Sequence, residues 1–179
     1  MIDSEDIIGV YANSLFQISK EENLEKLFFD NIEFLDKIFR ENLDIIKILE
    51  IPTINKKEKK EIIDKIFKEK LNLYVINFIK LLIDNNRVSL LLKITNKYKE
   101  KYYSDNNIIE ITIISAFDLN NFEKEEIEER CKSLFHKEII SNYVIDKNII
   151  GGFIIKTNNM LYDMSVKTKL ENIKKNILN

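Results

Sequence analysis

The chain has 179 residues, with 28 Lys+Arg against 30 Asp+Glu, one His, one Cys, one Pro and no Trp. A single cysteine excludes an internal disulfide and with it a disulfide-stapled secreted scaffold, no apolar run approaches the ~18–20 residues of a membrane span, and a net charge of −2 with both signs interspersed gives no reason to expect a polyanion-binding surface. The acidic start Met1-Ile2-Asp3-Ser4-Glu5-Asp6 differs from a basic signal or transit peptide, so a soluble, intracellular, globular chain is expected.

The composition is skewed within its classes: 33 Ile against 5 Val and 2 Ala, 25 Lys against 3 Arg, and 21 Asn. These are the residues of A/T-rich codons. Ile therefore fills positions of many kinds, and β-branching loses value as a strand signal.

From residue 4 to about 104 the apolar residues recur at helical spacing. Ile7, Ile8, Tyr11, Leu15 and Ile18 share one face of a first helix, which Asp3 or Ser4 can cap. A second carries Leu24, Leu27, Phe28, Leu35, Ile38 and Phe39. A third, Leu43 to Leu49, stops at Ile51-Pro52, because proline disfavours helix in the residue before it. Asn55 with Glu58 resembles a capping box opening a fourth helix with Ile62, Ile63, Ile66 and Phe67. A fifth spans about Leu71 to Asp84, and Asn85-Asn86 supplies a left-handed stop. A sixth runs from Arg87 to about Tyr103, with Val88, Leu91, Leu92 and Tyr98.

After Ser104-Asp105-Asn106-Asn107 the period changes. Ile108 to Ala116 reads as a strand, with Ile109, Ile111 and Ile113 alternating with Glu110 and Thr112. Asn120 or Asn121 caps a helix with Ile127, Cys131, Leu134 and Phe135 inward. Strands follow at Glu138 to Ile145, Ile149 to Lys156 and Met160 to Asp163, and Ser165 caps a last helix with Val166, Leu170, Ile173 and Ile177. The expected fold is therefore an all-α six-helix bundle, residues 1–104, followed by a small α+β domain, residues 105–179. The first part carries 18 basic and 18 acidic side chains and the second 10 and 12. Neither is electrostatically specialised.

Little in the chain points to catalysis. Cys131 falls on an inward helix face, where a thiol acts as a small hydrophobe, and His136 stands at that helix's end. The two are also too few for a structural zinc site, which takes about four ligands. Gly151-Gly152 lacks the lysine and the following helix of a phosphate loop, and reads as a bulge or close backbone contact in a sheet. Lys56-Lys57-Glu58-Lys59-Lys60 contains a carboxylate and no aromatic, so a solvated helix start is favoured over a nucleic-acid site. The glutamates Glu123, Glu125, Glu126, Glu128 and Glu129 read as a wet helix face, and Asp146 and Asp163 lie in different turns with no second acid beside either. No cofactor and no metal is expected. The fifth helix is apolar nearly all round, with Leu71, Leu73, Tyr74, Val75, Ile76, Phe78, Ile79, Leu81, Leu82 and Ile83. Either it is central and fully covered, or one face awaits an amphipathic partner helix.

Taken in order, these residues resemble the delta subunit family of F-type ATP synthases, the oligomycin-sensitivity-conferring proteins, over about residues 7 to 178. The likeness rests on Tyr11-Ala12 with Leu15-Phe16, Ile51-Pro52 before a lysine-bearing helix, and Asn86-Arg87 with Ile94 and Tyr98. It continues through Ser115-Ala116 with Leu119, and Asp146, Ile150-Gly151-Gly152, Asp163, Ser165 and Lys169-Leu170. The chain departs from the family at Met164, where glycine is usual, and at Lys167, where arginine is frequent. The resemblance implies a non-catalytic peripheral-stalk role in ATP synthesis and hydrogen ion transport. The helical domain would bind the amino-terminal helices of alpha subunits, and the small domain the carboxyl end of the b subunit. Membrane association would be indirect, at the cytoplasmic face of a bacterial cell membrane or in an organelle-encoded plastid counterpart. The family's alpha-binding groove lies between the first and fifth helices, which implies Tyr11, Leu15, Tyr74, Phe78 and Leu81 as contacts. The structural motif residues carried over are Ala12, Phe16, Asn86, Arg87, Gly151, Gly152, Asp163 and Ser165. A helical RNA-binding or transcription-accessory protein is the competing reading, and an enzyme using Cys131 and His136 a third.

Overall fold

The structure, a computed structural model, describes residues 4–158, 160–168, 170 and 174. Helices dominate, and a small four-stranded mixed sheet lies toward the C-terminus. Two compact units divide between Tyr102 and Tyr103.

The first unit holds α1 (Ser4–Glu21), α2 (Glu25–Glu41), α3 (Leu43–Glu50), α4 (Lys56–Phe67), α5 (Leu73–Asp84), a 3₁₀ turn (Val88–Leu90) and most of α6 (Leu91–Asp105). Phe28, Ile32, Leu35, Phe39, Ile63, Phe67, Ile79, Leu82, Ile94 and Tyr98 are fully buried among them. Aromatic pairs join the helices: Phe39 stacks on Phe67, and Phe16 meets Tyr98 edge-on at 5.7 Å. Asn55 accepts the Glu58 amide and caps α4. The sixth helix opens as a 3₁₀ turn rather than as α-helix. The fifth starts at Leu73, because the Asn72 side chain accepts the Tyr74 amide and fixes the N-cap there. Ile18 and Leu27, expected inward, are exposed.

Among the described residues, four non-glycine residues adopt left-handed backbone: Asn23, Asn86, Asn107 and His136. Asn86 closes α5 and His136 closes the helix Asn121–Phe135, at positions where glycine is the usual residue. Asparagine tolerates this conformation best after glycine, and a chain with 3 Gly and abundant Asn uses it accordingly.

The second unit is built on β1 (Ile108–Ser115), α7 (Asn121–Phe135), β2 (Glu138–Ile145), β3 (Phe153–Lys156) and β4 (Leu161–Asp163). Strand order is β2-β1-β3-β4, with β1 parallel to β2 and antiparallel to β3, which pairs antiparallel with β4. Parallel pairing needs a crossover, and α7 supplies it. Asn120, with Glu123, forms a full capping box at its start. Ile111, Ile113, Leu119, Ile127, Cys131 and Ile155 form the core. Leu134 is exposed, contrary to expectation, and the third strand begins at Phe153, so Ile149–Gly152 lie outside it. Residues 166–168, 170 and 174 are helical. Val166 and Leu170, expected inward, are exposed, whereas the Asp3 cap, Lys169, Ile173 and Ile177 fall outside the described residues.

A candidate docking groove

Helix α5 is neither fully covered nor amphipathic in the ordinary sense. Val75, Ile76, Phe78, Ile79, Leu82 and Ile83 face the core. Leu73, Asn77 and Leu81, spaced four apart, form a second stripe that faces solvent, with Leu73 67 % and Leu81 47 % exposed and Tyr74 beside them. Of the two readings open for this helix, the fully central one is excluded.

Helix α1 lies alongside and antiparallel to α5. Tyr11 meets Phe78 edge-on at 6.1 Å and reaches the α5 C-terminus, while Glu22 pairs with Tyr74 at the α5 start. The Glu22 carboxylate accepting from Tyr74 raises the Tyr74 pKa. The outward face of α1 carries Val10, 64 % exposed, Ser14 and Ile18. Two helices joined by the Tyr11–Phe78 contact thus each turn apolar residues to solvent. Such paired faces suit a third, amphipathic helix.

The five proposed contact residues divide by burial. Tyr74 and Leu81 are exposed, Tyr11 is half-buried, and Phe78 and Leu15 belong to the core, Leu15 being 2 % exposed. Ala12 and Phe16 are likewise core residues. Sequence reasoning missed Val10, Ile18 and Leu73 as surface groups. Val10 stands two residues from both Ile8 and Ala12, on the face of α1 away from the core, and helical spacing alone could have shown this; Ile18, three residues after Leu15 and seven after Tyr11, carried no such signal.

Asn86 and Arg87 form the α5 stop. Asn86 is left-handed, its amide donates to the Ile83 carbonyl at 3.1 Å, and the Arg87 amide donates to the Leu82 carbonyl at 2.8 Å. This is the Schellman arrangement, and it turns Arg87 back toward α1. Arg87 Nη1 donates to the Tyr11 hydroxyl oxygen at 3.0 Å, and Asn85 Nδ2 does so at 2.9 Å.

The lysine run is not simply solvated. Lys56 donates to the Asp84 carbonyl at 2.6 Å, Lys60 pairs with the Asp84 carboxylate at 2.6 Å, and Lys59 is buried. Two of its cations thus complement the negative C-terminal end of α5.

In the second unit the other motif residues come together. The Gly151 carbonyl accepts the Val166 amide at 2.9 Å, and the Phe153 carbonyl accepts the Met164 amide at 3.1 Å. Asp163 accepts the Ser165 amide at 2.8 Å and the Thr168 hydroxyl at 2.7 Å. Hydrogen bonds from Ser165 and Thr168 hold the Asp163 carboxyl below its usual range. Ser165 in turn accepts the Thr168 amide, which is an N-cap. Met164 is not among the left-handed residues, so glycine is not required there. The arrangement is a structural clasp. Cys131 is buried and burial pushes its thiol pKa up. His136 ends α7 in left-handed backbone, its carbonyl accepting from Asn107. Neither is poised as a nucleophile or base. No described helix is long and apolar enough to cross a membrane.

Known proteins resemble the chain along nearly its whole length. The family model for the ATP synthase delta (OSCP) subunit matches residues 7–177. ATP synthase subunit delta of Clostridioides difficile is 33% identical over 172 residues, covering 96% of this chain and 95% of that protein. The subunit delta of Wigglesworthia glossinidia brevipalpis is 38% identical over 160 residues, covering 89% of each. Among solved structures, a chain of the Toxoplasma gondii mitochondrial ATP synthase hexamer superposes with a TM-score of 0.77, covering 96% of this chain and 97% of that one. At 13% identity the last likeness speaks to the fold.

Proposed function

Because the chain belongs to the ATP synthase delta (OSCP) subunit family, we propose that it is a non-catalytic stator subunit that ties the catalytic head of an F-type ATP synthase to its peripheral stalk. In this reading α1 to α6 act as a six-helix bundle, residues 1–104, that receives an amino-terminal helix of an alpha subunit. Residues 105–179 hold the carboxyl end of the b subunit. The assembly keeps the head from turning with the central shaft, so that proton-driven rotation is coupled to ATP synthesis. The chain reaches the cytoplasmic face of the cell membrane only through that complex.

The observation that carries this reading is the second apolar face of α5, with Leu73, Tyr74 and Leu81 exposed, together with exposed Val10 and Ile18 on α1. A monomer gains nothing from leaving such residues in water, whereas a docked helix removes them from it. Tyr11, Tyr74 and Leu81 serve as direct contacts, and Leu15 and Phe78 support them from beneath. The RNA-binding reading loses its basic surface to the Asp84 contacts of Lys56 and Lys60. Calorimetry with a peptide copying the alpha amino terminus tests the groove. The native chain is expected to bind and Leu81→Asp to bind about tenfold or more weakly; equal binding by both, or none by either, rejects the groove.

A further inference from the structure

The Tyr11 side chain is fixed from three directions. The Phe78 ring packs edge-on at 6.1 Å, the Arg87 guanidinium lies 5.6 Å from the Tyr11 ring centre, and two N–H groups converge on the phenol oxygen. Both donors come from the turn that ends α5, Asn85 at its cap and Arg87 two residues on. The Schellman turn at Asn86 sets where each of them points.

A phenol group can accept hydrogen bonds at its oxygen and donate one hydrogen. With Asn85 Nδ2 at 2.9 Å and Arg87 Nη1 at 3.0 Å, the accepting positions on Tyr11 are filled. Its own hydrogen goes to no acceptor among the described residues, and the side chain is only half-buried beside the open stripe of α5. Arg87 adds a positive charge at the same place. Asp84, the nearby carboxylate, is engaged by Lys60, and Lys56 holds its carbonyl. The local field therefore favours an anion.

We propose that Asn85 and Arg87 convert Tyr11 into an oriented hydrogen-bond donor, so that the groove selects a helix presenting an aspartate or glutamate opposite Tyr11. This deepens the docking reading above and rests on it. Apolar stripes on α1 and α5 supply area but little register, because a helix can slide along them. A single fixed donor next to a cation sets the register, since a charge-assisted hydrogen bond forms at one position and is lost at the next turn. Tyr11 is the specificity-determining contact, and Asn85 and Arg87 are positioning residues that act through it.

The test uses the full-length chain, synthetic peptides copying the alpha amino terminus, and calorimetry. Tyr11→Phe keeps the ring against Phe78 and removes only the hydroxyl. It is expected to weaken the parent peptide about tenfold or more. Each acidic residue of the peptide is replaced in turn by alanine. One replacement is expected to weaken binding to the native chain and to abolish the difference between native and Tyr11→Phe. Arg87→Ala is expected to reproduce the Tyr11→Phe loss for the parent peptide and to show none with that same replaced peptide. If Tyr11→Phe binds every peptide as tightly as the native chain, or loses equally with all of them, the proposal is overturned. If no peptide binds the native chain, the groove assignment itself fails.

Discussion

A Cβ built on Gly152 would stand 2.6 Å from the Met164 carbonyl oxygen, and Gly152 itself holds a left-handed φ of +78°. The backbone of the clasp leaves no room for a side chain at that position, and it would also meet Ser165 Cα at 3.1 Å. At Gly151 the nearest atom is a side-chain methyl of Val166 at 3.3 Å. Gly152→Ala is therefore expected to destabilise the second unit by about 2 kcal/mol or more, and Gly151→Ala by clearly less. Urea unfolding followed through the tyrosines of the second unit compares the two. Met164→Gly, which restores the family's usual residue, is expected to give no gain, because Met164 needs no left-handed backbone.

Leu73→Asp should leave the fold intact. The residue is 67 % exposed and sits at the first position of α5, where a carboxylate meets the positive end of the helix dipole. Its unfolding free energy is expected to stay within about 0.5 kcal/mol of the native chain's. Leu81→Asp, in the last turn, is expected to lose up to about 1 kcal/mol through the opposite end of the dipole. Circular dichroism with urea titration checks both before any binding is read.

Asp36 is a buried carboxylate held by Arg40 Nε at 2.9 Å, Lys99 Nζ at 2.8 Å and the Thr95 hydroxyl at 3.1 Å. Burial pushes its pKa up, but the hydrogen bonds and charges of Arg40 and Lys99 outweigh this and leave it below the usual value. In the unfolded chain an aspartate titrates near ~3.9. The stabilisation is therefore fully present above that pH and fades as pH falls through the lower folded value. Asp36→Ala is expected to cost about 2–4 kcal/mol at pH 7 and to narrow its deficit toward pH 3. Denaturant titrations of both chains at the two pH values measure it.

Cys131 is 1 % exposed, and burial, the main cause, and the Glu128 charge both raise its thiol pKa. Iodoacetamide at pH 7.5 is expected to modify it only in denaturant. Rapid labelling of the native chain, followed by mass spectrometry, would contradict its placement in the core.

The elements were largely legible because their signals are local. Asn55 and Asn120 each name a helix start through a side-chain hydrogen bond, whereas the Asn72 cap was missed, and the alternation of Ile109, Ile111 and Ile113 with Glu110 and Thr112 gives β1 directly. Strand order was not legible, because the parallel pairing of β1 with β2 depends on where α7 carries the chain. Ile18 and Leu134 were misplaced for a reason specific to this composition: in an isoleucine- and leucine-rich chain, apolar character no longer distinguishes core from surface. The site was half legible. The excess apolar surface of α5 left a central helix and a second, partner-binding face both open, and only the family resemblance named a partner helix for it. The convergence of Asn85 and Arg87 on Tyr11 spans more than seventy residues of sequence, and no periodicity encodes a contact of that range.

Rebuilding the enzyme tests whether the exposed face of α5 holds the catalytic head. Membranes of an F-type ATP synthase deprived of this subunit would be supplied with the native chain or with Leu81→Asp, and ATP-driven proton pumping would be followed alongside ATP hydrolysis. The native chain is expected to restore pumping, and Leu81→Asp to leave hydrolysis running with pumping largely lost. Full pumping with Leu81→Asp, at matched concentration and with its fold verified, would contradict the claim that the exposed face of α5 holds the catalytic head.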